Sequence, residues 1–173
     1  MTEMEVIIEE ARASDAIGIK QLFIELEEET TYITETENVT QTSLSALEKY
    51  LDLQNHSESD LCLLIKINQE IVGILNVTNS HHETSQHIGE LFMAIKKTFR
   101  GYGLGRDLLE MAIDWANQTP VLRKLELQVQ VRNEIAQSLY EKCGFRIEGT
   151  RKKGVKTKDG EFLDLYYMGK VLK

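Results

Sequence analysis

Arg100-Gly101-Tyr102-Gly103-Leu104-Gly105-Arg106 packs three of the chain's 11 glycines into five positions. Before it runs an apolar stretch, His87 to Ile95. After it, Leu104, Leu108, Met111, Ala112 and Trp115 recur at helical spacing as far as Asn117. The local reading is strand, glycine turn, helix. Glycines let the backbone turn tightly and aim its N–H groups at a ligand with no Cβ in the way. The start of a helix adds unpaired amides and a partial positive charge. Together these predict a cradle for an anion, most naturally a pyrophosphate; the alternative is a glycine turn that holds nothing. Three nucleotide loops fail on spacing. A dinucleotide fingerprint needs Gly or Ala where Arg106 or Leu108 stands, and the kinase-type glycine loop fails with it. A Walker A loop needs Gly-Lys-Ser/Thr where Arg106-Asp107 stands.

Upstream, Met4 to Glu10 reads as a strand, and Ser14 or Asp15 as the cap of a helix carrying Ile19, Leu22, Phe23 and Leu26. Thr42 to Leu53 predicts a second helix. Leu61 to Ile67 and Glu70 to Val77 form a hairpin across Asn68-Gln69, and Asn79 to Gln86 is a polar loop. Downstream, Thr119-Pro120 stops the central helix. Leu125, Leu127, Val129 and Val131 alternate with polar residues as in a strand, and Asn133 to Cys143 is helical up to Gly144. Arg146 to Arg151 and Glu161 to Leu172 are the last two strands. The order β-α-α-β-β-β-α-β-α-β-β mixes hairpins with βαβ connections. It predicts an α/β fold with a mixed, mostly antiparallel central sheet and helices on both faces.

The 173 residues suit one domain, 1–173. Twenty Lys and Arg against 28 Asp and Glu give a net charge of −8, which argues against a nucleic-acid partner bound by phosphate neutralisation. Cys62 and Cys143 stand far apart and outside any CxxC spacing, so a reducing compartment is expected. The residues from Met1 to Glu10 lack the pattern of a signal peptide, and the longest strongly apolar run, Leu61 to Ile65, is too short to cross a bilayer. A soluble, cytoplasmic chain with no membrane partner is the expectation. His81, His82 and His87 lack metal-ligand spacing, so no metal is expected.

Arg100, Gly103 and Gly105 hold the spacing Arg-x-x-Gly-x-Gly, which resembles the acetyl-CoA pyrophosphate loop of the GNAT superfamily of N-acetyltransferases. Asn133, Ala136, Leu139, Tyr140, Gly144 and Phe145 are similar to that family's Asn…Ala…LeuTyr…GlyPhe segment. The strand Glu90 to Ile95 and the element order match over nearly the whole chain.

The resemblance implies acetyl-CoA as co-substrate and an amine as acceptor. Met93, Ala94 and Ile95 would bond the pantetheine arm through main-chain groups, and one such amide would hold charge on the tetrahedral intermediate. Arg100, Gly101, Tyr102, Gly103, Leu104, Gly105 and Arg106 would wrap the pyrophosphate, although Arg106 also reads as a solvated first-turn residue. Asn133 would reach the cofactor or simply cap its helix. Tyr140 matches the position whose hydroxyl protonates the departing thiolate; on periodicity alone it is core. Glu90 is the best candidate base for the amine, against the bland reading of an edge glutamate. Some protein N-terminal acetyltransferases of the family carry a glutamate five residues before the equivalent of Asn133, where this chain has Gln128; Glu126 lies two residues earlier on the same strand face.

Two charged stretches bear on the acceptor. Glu25, Glu27, Glu28, Glu29, Glu35, Glu37 and Glu48 fall where the family's first helices overhang the acceptor site, and would draw a cationic amine or polyamine unless they form a solvated face. Arg151, Lys152, Lys153, Lys156 and Lys158 have the opposite sign and would meet an acidic acceptor, the cofactor's adenosine phosphate, or only water on a charged hairpin. Small-molecule amines and peptide N-termini both stand as acceptors, and family habit implies a homodimer. The reading in another class is a non-catalytic acyl-CoA-binding sensor or partner protein on the same fold.

Overall fold

The computed structural model describes residues 3–33 and 37–173. Its elements are β1 (Val6–Glu10), α1 (Ala16–Glu29), α2 (Glu37–Thr40), α3 (Leu44–Asn55), β2 (Leu61–Ile67), β3 (Glu70–Asn79), β4 (Ile88–Ile95), α4 (Leu104–Gln118), β5 (Lys124–Gln130), α5 (Glu134–Lys142), β6 (Arg146–Lys156) and β7 (Phe162–Val171). The strands form one seven-stranded sheet in the order β1-β2-β3-β4-β5-β7-β6. Every pairing is antiparallel except β4 with β5.

Alternation along the strands sends side chains to two cores. Leu63, Leu75, Leu91, Leu125 and Leu127 join Leu108, Leu109, Ala112 and Ala116 of α4 and Tyr140 of α5. Cys62, Leu64, Ile74 and Ala94 join Ile19, Leu22, Phe23 and Leu26 of α1 and Leu47 and Leu51 of α3. Helices thus cover both faces, α4 and α5 on one and α1 and α3 on the other, as the mixed α/β reading required. Turn chemistry explains the β2–β3 hairpin: Asn68 and Gln69 have φ of 49° and 71°, the sense of twist that two-residue hairpin loops need.

Some boundaries moved. Asp15 does not cap α1 through its side chain; its carboxylate accepts the Arg12 N–H (2.8 Å) and pairs with Lys66 of β2 (2.7 Å), across a single 3-10 turn at Ala13–Asp15. Ser43 rather than Thr42 starts the third helix, its hydroxyl accepting from the Ala46 N–H at 3.2 Å. The four-residue α2 carries no sequence periodicity long enough to read. β6 runs on to Lys156 because a bulge between Arg151 and Val155 restores its pairing with β7.

Cys62 lies under α1 and α3, and burial pushes its thiol from 9.0 up to about 12. Because the folded value exceeds the unfolded one, this contribution to stability is complete below pH 9 and lost as pH rises through 12. At pH 10 the loss should be about 1 kcal/mol. Urea midpoints at pH 7 and pH 10 measure it, and Cys62→Val should flatten the alkaline fall; an unchanged fall in that variant would reject the assignment.

Candidate active site

β4 and β5 pair only over Ile88–Glu90 with Lys124–Glu126, and then separate. Beyond that vertex each keeps its outer partner, β3 or β7, so a V opens through the sheet. A cleft of about 1070 Å³ occupies it. The Lys96 N–H donates to the Val72 carbonyl (2.9 Å), in register with the Gly73–Ile95 pairing. By alternation, Ala94 spends its main-chain groups on Ile74, whereas Met93 and Ile95 turn theirs toward the V. Of the three strand positions expected to bond a ligand through the main chain, Ala94 is therefore corrected to a structural role. The Ile95 carbonyl accepts from Arg100 Nε at 2.8 Å, which leaves the Ile95 N–H and both Met93 groups facing the opening.

At the mouth of the V, a 3-10 turn (Lys97–Phe99) leads into the glycine turn and α4. Gly101 and Gly103 adopt φ of +84° and +80°, which L side chains rarely adopt, although a Cβ on either would touch nothing within 4 Å. Their identity answers to backbone conformation, not to packing. The first α-helical bond runs from the Asp107 N–H to the Gly103 carbonyl. The six amides from Gly101 to Arg106 have no acceptor among the described residues. They open at the positive end of a 15-residue helix, an arrangement that suits an anion. Gly105 serves another purpose: a Cβ there would come within 3.3 Å of Leu139 and 3.4 Å of Ile95, so its absence lets α4 sit close to α5 and β4. Arg106 pairs with Glu110 one turn along α4 (2.7 Å), and Tyr102 points largely into solvent.

α5 crosses the other arm of the V. Asn133 is its N-cap, the side-chain carbonyl accepting from the Ala136 N–H at 3.3 Å, so the capping role is realised on a residue that also lines the cleft. Tyr140 is 7% exposed and meets Phe145 edge to face at 5.9 Å between ring centres. It lines the cleft too, and burial pushes its phenol up to about 12, so the group holds its proton at any physiological pH. Tyr140 thus belongs to the core and also lines the cleft. Cys143 opens instead on a separate small cavity with Glu110 and Lys170, and burial raises its thiol. A thiolate nucleophile is disfavoured there.

Glu90 stands at the vertex on the opposite face, with Phe92 and Ala94, exposed to the cleft. Its register partner Glu126 is held by Lys124 (2.8 Å) and does not line the cleft; Gln128 does. The described acidic residues of the first helices stand off the cleft. Glu25 pairs with Lys96, Glu29 accepts the Lys97 N–H (3.0 Å), and none of Glu25, Glu27, Glu28, Glu29 or Glu48 lines the cleft. Glu35 and the side chain of Glu37 lie outside the described residues. Among the described residues no group of three or more His, Cys, Asp or Glu side chains is arranged to hold a metal ion, and no helix is long and apolar enough to cross a membrane.

The family model described as the acetyltransferase (GNAT) family matches residues 19–145, which span the V, the glycine turn and α5. The chain belongs to the GNAT family. Among relatives, it is 30% identical over 113 residues to the L-amino acid N-acetyltransferase AaaT of Escherichia coli, covering 63% of this chain and 67% of that one. Four further curated relatives are matched over 39–55% of their length. A GNAT acetyltransferase from Streptococcus pneumoniae superposes with a TM-score of 0.93 at 37% identity, over 97% of this chain and 100% of that one. The yncA protein of Salmonella typhimurium, solved with its cofactor acetyl-CoA, shares the fold at a TM-score of 0.84 and 18% identity, over 99% and 95% of the two chains.

This GNAT chain also carries a contact set that periodicity gave no hint of. Gln130 ends β5 at 3% exposure and donates to the Thr31 carbonyl (2.9 Å). Arg132 donates to the same carbonyl (3.2 Å), to the Thr31 hydroxyl (2.9 Å) and to Gln130 Oε1 (2.8 Å), and stacks on Tyr32 at 5.3 Å. Gln137 of α5 donates to the Gln130 and Val131 carbonyls (3.1 and 2.6 Å). The loop after α1, whose Thr30, Tyr32 and Ile33 line the cleft, is thereby fastened to the start of α5. The one sequence signal was a polar residue, Gln130, in the last position of a buried strand. Arg132→Ala should raise the acceptor KM about tenfold and leave the acetyl-CoA Kd within about twofold. Arg132→Lys should recover little, because an ammonium reproduces neither the fork nor the stacking. Equal changes in both constants would mean the contacts only support the fold.

Proposed function

We propose that the chain transfers an acetyl group from acetyl-CoA to a primary amine, with both reactants held together in the V and no acyl-enzyme formed. The observation that carries this reading is the run of six acceptor-free amides at the start of α4, continuous with the free main-chain groups of Met93 and Ile95. In this reading the amides Gly101 to Arg106 hold the pyrophosphate, Arg100 locks the turn onto β4, and Met93 and Ile95 bond the pantetheine arm. Acetyl-CoA supplies an activated thioester. The main-chain N–H groups beside it favour charge on the carbonyl oxygen, a contribution of about 3 kcal/mol per oriented donor. Glu90 takes the amine's proton, through a water if the two do not touch, and Tyr140 returns a proton to the departing sulfur from the other face of the sheet. Holding two reactants in one cleft supplies much of the remaining rate. Small amines and peptide N-termini both stand as acceptors in this reading, and the AaaT relative is named for amino acids. In this reading the reaction runs in the cytoplasm, where Cys62 and Cys143 stay reduced.

The test is release of free CoA thiol from acetyl-CoA across a panel of amino acids, dipeptides and amines. Acetyl-CoA-dependent turnover with at least one of them is expected. Micromolar acetyl-CoA binding with no thiol release over the whole panel would favour the non-catalytic sensor instead.

A further inference from the structure

Three arginines line the cleft, and two are already engaged. Arg100 donates to the Ile95 carbonyl, and Arg106 pairs with Glu110. Arg151 is exposed, and its guanidinium has neither an ion pair nor a hydrogen bond among the described residues. Its basic neighbours are occupied: Lys152 pairs with Asp164 at 3.3 Å, and Lys153 and Lys156 lie over the Phe162 ring at 5.5 and 5.8 Å.

Register fixes where Arg151 stands. It pairs with Leu165, which pairs with Gln130, so these three share a row and a face. Gln128 and Glu90 belong to that same face, opposite the glycine turn and Tyr140. Counted from Glu90, Arg151 lies three strands over and, along β5, four residues further on. The backbone there is built. Residues 152–154 bulge against Asp164, whose carboxylate accepts the Lys153 N–H at 2.8 Å, and Lys153 sits at φ +49°. Bulges beside a cleft re-aim a side chain.

From these positions we infer that the acceptor amine also carries a carboxylate at the end away from the reacting nitrogen, and that Arg151 receives it. The inference rests on the transferase reading of the cleft and adds the substrate class. A guanidinium grips a carboxylate through two parallel N–H donors, which an ammonium cannot do. A polyamine fits the same face poorly. Its second ammonium would meet Arg151, while the described acidic residues of α1 and α3 lie outside the cleft.

Three strands and four residues amount to about 20 Å of backbone separation from Glu90, so the acceptor must be extended. The experiment compares acids with their amides, using tri- and tetrapeptides against the matching C-terminal carboxamides, in wild type and in Arg151→Ala. Arg151 is exposed on an edge strand, so the variant should fold. The acid-to-amide ratio of kcat/KM should fall tenfold or more in Arg151→Ala and recover partly in Arg151→Lys. A ratio within twofold of wild type in the alanine variant, across all pairs, overturns the inference. Calorimetry with N-acetylated tri- and tetrapeptides and their C-terminal amides, in the presence of CoA, reads the same preference without turnover. At least a tenfold preference for the acid in wild type, lost in Arg151→Ala, supports the inference; equal binding overturns it. If no amine releases thiol yet that binding preference is present, the transfer reading fails and the carboxylate site stands.

Discussion

Gly103→Asp should abolish measurable acetyl-CoA binding and leave the chain folded. A Cβ at this position meets nothing within 4 Å, so packing is not the obstacle. Two other effects act together. The residue sits at φ +80°, where a side chain other than glycine costs about 1 kcal/mol, less for aspartate than for most. The new carboxylate would stand at the N-cap of α4, able to accept from the same amides that would otherwise receive a phosphate. It would also repel the incoming anion. About 3 kcal/mol in all, or a Kd more than a hundredfold higher, is the expected outcome by calorimetry. Gly103→Ala separates the two effects, since it keeps the strain and omits the charge; its Kd should rise by about tenfold or less. Wild-type affinity in Gly103→Asp would remove the glycine turn from the binding site.

Tyr140→Phe should lower kcat by about a hundredfold while changing the acetyl-CoA Kd less than threefold. The ring keeps its edge contact with Phe145 and its place in the core shared with α4, so stability should move little. What is lost is the O–H donor for the departing sulfur: at about 12 the phenol lies above an ordinary thiol at about 8.5, so it stays protonated and donates its hydrogen bond as charge develops on sulfur. Thioesters with better leaving groups give the diagnostic. An acetyl thioester of an aromatic thiol needs no proton on departure, so its turnover should fall much less in the variant. An equal fall for both donors would mean that Tyr140 shapes the cleft without acting as the acid.

The parts of this molecule legible in the sequence are those whose cause is local. Gly101 and Gly103 report a backbone angle that few other residues tolerate, so the turn could be read from identity alone. Helical spacing exposed α4 and α5, and alternation exposed β5. Where the cause is long-range, residue identity misled. Asp15 looked like a helix cap, but Lys66 arrives from β2 to claim it. Glu25 looked like part of a free acidic face, but Lys96 arrives from the end of β4. Gln130 and Arg132 meet Thr31 across sequence separations of 99 and 101, which no local pattern encodes. The main-chain distinction between Ala94 and its neighbours depends on which side β3 pairs, and that is visible only once the sheet is assembled.

The V has a consequence for how such a chain can diversify. The glycine turn and its six amides belong to the β4–α4 connection, whereas the surfaces nearest Glu90 and Arg151 come from the loop after α1 and from β3, β5 and the β6–β7 hairpin. In the proposed reading, donor and acceptor are therefore read by segments far apart along the chain, meeting only at a three-residue seam of parallel pairing. Changes to the hairpin or the loop can redirect the choice of amine and leave the thioester's seat untouched, so one inherited half can be matched with many alternatives for the other.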